Sequence, residues 1–82
     1  MFINKARDGR NNISGVNICQ LRKEYRLSQR ELADQMQLLG LDMDKNAIQR
    51  IEAGLRFVTD IELKTFAAFF RVTTDTLLTI KS

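Results

Sequence analysis

Apolar residues recur along this chain at helical three- and four-residue spacing, and no stretch alternates as a strand would require. Ile18, Leu21, Arg22 and Tyr25 stand at i, i+3, i+4 and i+7, which predicts a first helix over Val16 to Tyr25, closed by Leu27. Ser28-Gln29-Arg30-Glu31 is a capping box, in which the serine oxygen accepts the amide proton three residues on and the glutamate accepts the serine N–H. A second helix starts there, buries Leu32, Ala33 and Met36, and runs through Leu38 or Leu39 until Gly40 breaks it. Asp44 is suited to cap a third helix, Lys45 to about Ala53, with Ile48 and Ile51 inward, Lys45, Asn46, Gln49 and Arg50 outward, and Gly54 ending it. Thr59-Asp60-Ile61-Glu62 is a second capping box, introducing a fourth helix that carries Leu63, Phe66, Ala67 and Phe70. A short fifth helix, capped by Thr73 or Thr74, carries Leu77 and Leu78 and extends towards Ile80. The class is all-α.

The start of the chain breaks this pattern. Lys5, Arg7, Arg10, Asn11 and Asn12 mix with Gly9 and Gly15 without an apolar period. Residues 1–14 therefore read as a flexible basic arm and residues 15–80 as one domain, which is all that 82 residues accommodate.

Composition narrows the chemistry. A hydrophobic share of 44% against 28% charged residues is that of a folding domain, and a formal charge of +3 favours polyanionic partners. Cys19 is alone, so no intramolecular disulfide can form; it reads as a small packing residue, and a reducing cytoplasm is the expected setting. With no histidine, no zinc or imidazole chemistry is expected, and the sequence implies no cofactor or small-molecule substrate. Neither a membrane span nor a secretory leader is expected, so Asn12-Ile13-Ser14 matches a glycosylation sequon by chance.

Taken together, Leu21-Arg22, Leu27-Ser28-Gln29, Glu31-Leu32-Ala33, the run Ile48-Gln49-Arg50-Ile51-Glu52-Ala53-Gly54, and Asp60-Ile61-Glu62-Leu63 resemble the Cro and lambda-repressor-like family, also called the xenobiotic-response-element family. The resemblance extends from Ile13 to Leu78 and implies a five-helix DNA-binding domain with a helix-turn-helix. It departs from the family in the segment between Met36 and Asp44, longer than the usual tight turn by about one helical turn and a residue. A second departure is Arg71, standing where a left-handed glycine is common after the fourth helix.

The resemblance also implies roles. The third helix would enter the major groove, giving Lys45, Asn46, Gln49 and Arg50 to base edges. Gln29, at the start of the second helix, would meet a phosphate, as would Arg56 and the arm residues Lys5, Arg7 and Arg10. Arg22 and Glu52 would form a structural ion pair that orients the reading helix. The implied protein is a bacterial or phage-type regulator, a repressor that binds a double-stranded operator as a homodimer. Phe57, Phe69, Val72, Leu77, Leu78 and Ile80 are the apolar residues available either to that dimer or to the core. A second class also fits: an antitoxin-like or anti-repressor protein-interaction module that keeps the fold and presents Leu38 to Met43 to a partner. An enzyme is not expected, because the sequence offers no histidine, no reactive cysteine context, no Gly-rich phosphate loop and no separated carboxylate pair in an expected cleft.

Overall fold

Side-chain caps fix where four of the five helices begin in the computed structural model, which describes residues 9–80. The helices are α1 (Ser14–Glu24), α2 (Gln29–Leu38), α3 (Lys45–Ala53), α4 (Asp60–Phe70) and α5 (Thr74–Leu78). Ser28 and Thr59 form complete capping boxes with Glu31 and Glu62, while Asp44 and Thr73 accept the amide protons of Ala47 and Thr76. Among the described residues there is no strand.

Helix α1 starts at Ser14, two residues before the apolar spacing suggests, because Asn12 Oδ1 accepts the Gly15 N–H at 2.8 Å and closes the first turn. Its far end turns at Arg26, which is left-handed at φ 57°, so that Leu27 N–H can return to the Arg22 carbonyl. Arg71 adopts the same φ of 57° beyond α4. Both positions place a Cβ where glycine would meet no steric penalty.

The core forms where the apolar stripes converge. Ile18 of α1 meets Leu32, Ala33 and Met36 of α2, Ile48 and Ile51 of α3, Phe66, Ala67 and Phe70 of α4, and Leu77 of α5. Each fully buried Leu, Ile, Met or Phe among them contributes on the order of 1.5–3 kcal/mol. Helix α3 packs against α1 and α2, so it is held from two sides, and α5 packs against α1 and α4. Of the apolar residues open to either dimer or core, Leu77 is buried and Phe69 and Val72 pack against the core. Phe57, Leu78 and Ile80 remain exposed.

The link between α2 and α3 occupies residues 39–44. Leu39 ends α2, Gly40 turns with φ 96°, and Leu41 N–H reaches back to the Met36 carbonyl. Met43 is then buried in the core, and Gln37 Nε2 donates to its carbonyl at 2.7 Å. Leu38 and Leu39 are left facing solvent.

A polar residue closes the opposite end. Asn17, buried on α1, donates from Nδ2 to the carbonyls of Leu77 and Thr79, each at 2.8 Å. Carbonyls at the end of a five-residue helix lack intrahelical partners, and this amide supplies one.

Candidate nucleic-acid interface

Ile48 and Ile51 are fully buried, which sets the rotation of α3 about its axis. Lys45, Asn46, Gln49 and Arg50 consequently face solvent along the opposite side. The last three line a shallow concavity with Ala53 and Leu55. Asp44, at the leading edge of this face, has its carboxylate on the Ala47 N–H. The remaining acid of the helix, Glu52, points the other way.

Glu52 lies behind the exposed face and meets Arg22 of α1. The pair is side-on: Arg22 Nε donates to Glu52 Oε2 at 2.7 Å and Nη2 to Oε1 at 3.1 Å. Arg22 Nη1 also donates to the Leu27 carbonyl at 2.7 Å, so the guanidinium joins α1, the turn before α2 and α3. Both side chains are largely withdrawn from water, at 12% and 6% exposure. Withdrawal of the carboxylate also keeps its negative charge off the face that carries Lys45 and Arg50.

Gln29 joins this cluster. Its Nε2 donates to Glu52 Oε1 at 3.0 Å, so the amide expected to reach outward to phosphate is drawn inward by a desolvated carboxylate. That leaves the first amide groups of α2 as the outward feature of this helix end. Arg56 is likewise engaged, with Nη1 and Nη2 on the two Glu62 oxygens, each at 2.9 Å. Glu62 accepts the Thr59 N–H as well, so its capping role and its pairing with Arg56 coincide.

Arg10 departs further from the expected role. Read as part of a free arm, it instead packs against α3, with Nη2 donating to the Glu52 carbonyl at 2.8 Å and to the Ile51 carbonyl at 3.3 Å. Its neighbours follow: Asn11 N–H donates to the Gly54 carbonyl at 2.8 Å, and Asn12 Nδ2 donates to Ile51 at 2.9 Å and Arg56 at 2.7 Å. The last carbonyls of a helix need donors and favour positive charge, and this strap provides both. The end of the sequence-defined arm is therefore a packed element. Lys5 and Arg7 lie outside the described residues. The strap partners are 39 to 44 residues further along the chain, a separation at which no local pattern would reveal them.

Two of the carboxyls described here titrate below their ordinary range. For Glu52, burial pushes upward, but hydrogen bonds from Arg22, Gln29 and Cys19 and the charge of Arg22 outweigh it. For Glu62, the Arg56 hydrogen bonds dominate, opposed by burial and helped by Thr59. A carboxyl whose folded pKa is depressed adds stability that is complete above its unfolded pKa and lost as pH falls through the folded one. Urea melts should therefore give a stability flat from neutrality to about pH 5 that declines below the ordinary carboxylate value of 4.5. In Glu62→Gln the decline should be shallower, and an equally steep one would rule out this origin.

A family model described as helix-turn-helix matches residues 19–77, well over half of the chain. No curated protein and no solved structure matches. Among the described residues, no helix is long and apolar enough to cross a membrane.

Proposed function

Because the chain belongs to the lambda-repressor-like helix-turn-helix family, whose domains are DNA-binding and regulatory, we propose that it is a repressor that reads an operator with α3. The observation that carries this reading is the amphipathicity of α3. Ile48 and Ile51 lock one side into the core while Lys45, Asn46, Gln49 and Arg50 stand together on the other, with Glu52 turned away. Arg50 and Lys45 are matched to guanine O6 and N7, and Asn46 and Gln49 to adenine N6 and N7.

Phosphate contacts are assigned to the amino end of α2 at Gln29, to the side of Arg56 turned away from Glu62, and to Lys5 and Arg7. Arg10 positions α3 and takes no part in this set. A homodimer would bring two copies of α3 to half-sites about 34 Å apart, one turn of DNA, with Phe57, Leu78 and Ile80 the exposed apolar residues available to a partner copy. A cytoplasmic location accords with operator binding.

The reading is tested by selecting bound duplexes from a random pool and then titrating salt for wild type, Asn46→Ala and Arg50→Ala. A palindromic motif is expected, with each substitution costing about 1–3 kcal/mol and relaxing the preference at one position. Recovery of no motif, with weak binding that salt abolishes equally in all three proteins, would leave only nonspecific attraction. The exposed Leu38 and Leu39 would then favour the protein-interaction module.

A further inference from the structure

We infer that Leu55 is a specificity-determining residue, placing its side chain against the C5-methyl group of a thymine beside the base pair that Arg50 engages. The inference rests on the DNA-reading role of α3. It starts from how the helix ends. Gly54 is left-handed at φ 80°, its N–H bonds the Ile51 carbonyl at 3.1 Å, and Leu55 N–H bonds the Arg50 carbonyl at 2.9 Å.

This arrangement turns the chain back so that the residue after glycine lies over the last helical turn, where it commonly packs on an apolar side chain. Here the residue beneath it is Arg50, and Leu55 remains 59% exposed. An apolar side chain has been brought, largely exposed, to the reading face.

The position is also held in place. Asn11 Nδ2 donates to the Leu55 carbonyl at 3.2 Å, and the adjacent Gly54 and Arg56 carbonyls accept from Asn11 N–H and Asn12 Nδ2. A peptide fixed on both sides presents its side chain at little further entropic cost on binding. Leu55 shares one concavity with Asn46, Gln49, Arg50 and Ala53. Donors for base edges thus stand beside an apolar end, and in the major groove the apolar feature of a base pair is the thymine methyl.

The test uses the operator duplex recovered by selection, with each thymine replaced singly by uracil, which removes only the methyl. Wild type should lose about fourfold in affinity at one thymine per half-site, the value of one buried methyl group. Leu55→Ser should erase that discrimination while leaving the effect of altering the other base pairs, and Leu55→Ile should keep it. Leu55 is mostly exposed and contributes only backbone groups to the hydrogen bonds described, so the serine variant should fold with only a small fall in Tm.

Uracil penalties identical in wild type and Leu55→Ser would overturn the inference while leaving operator binding intact. The same holds if Leu55→Ser preserves discrimination and instead dissociates a dimer, which would assign Leu55 to a second copy. If no motif is recovered at all, the reading role of α3 falls first and this inference with it.

Discussion

Replacing Glu52 with alanine should cost about 3–5 kcal/mol, as much as truncating a large core side chain. The reason is the guanidinium left behind. Arg22 has little access to water and would keep only the Leu27 carbonyl among its strong partners, while Gln29 would lose the acceptor for its amide. For a domain of this size the loss corresponds to a fall in Tm of about 4–8 °C per kcal/mol, enough to unfold a marginal domain near physiological temperature. Replacing both partners with apolar residues of similar bulk, Arg22→Met with Glu52→Leu, should recover most of the stability, since a desolvated pair offsets little more than its own dehydration. Chemical denaturation of the two single variants and the double variant closes the cycle. A loss below about 1 kcal/mol in Glu52→Ala would place the pair with ordinary surface bridges and refute this account.

Gly15→Ala should destabilise by about 3 kcal/mol, although glycine-to-alanine within a helix ordinarily stabilises by roughly 0.5–1 kcal/mol. The reversal comes from the close approach of α1 to α3. A Cβ on Gly15 would overlap the Ile51 carbonyl oxygen and press on Asn12 Oδ1 and the Arg10 guanidinium. The first of these is backbone and can move only if α3 moves. The other two belong to the strap, so the bonds at the end of α3 would be lost along with the close packing. Thermal melts decide the matter: an unchanged or raised Tm would mean that the helices separate without penalty, and the approach would then have no structural role.

The two predictions also mark where the sequence was legible and where it was not. Ser28 with Glu31, Thr59 with Glu62, Asp44 before α3 and Gly54 after it are devices completed within four residues, and their chemistry can be read directly. The outward placement of Lys45, Asn46, Gln49 and Arg50 follows just as directly from the rotation that Ile48 and Ile51 impose. Arg10, Asn12 and Asn17 are different: the first two fall in the segment that reads as an arm and the third lies in the first helix outside its apolar stripe, yet each satisfies carbonyls far along the chain. Nothing in a polar side chain's neighbours tells whether its partner is water or a helix end folded against it. The early start of α1, the inward turn of Gln29 and the pairing of Arg56 with Glu62 were obscured for the same reason. Leu55 was passed over because a single apolar residue after a helix-ending glycine is unremarkable until its exposure beside Arg50 is seen.

The short stretch from Arg10 to Asn17 therefore binds the chain at two distant points, the end of α3 and the end of α5. Connected in this way, the domain has few places to fray. A helix of five residues such as α5 has negligible stability alone and persists only through what it packs on, and α3 owes its final turn to donors supplied before α1 begins. Opening either end exposes groups whose partners lie in the middle of the fold, so local loosening is coupled to global unfolding. The domain should thus behave as one cooperative unit nearly to its described limits, with α3 released only when the whole domain is.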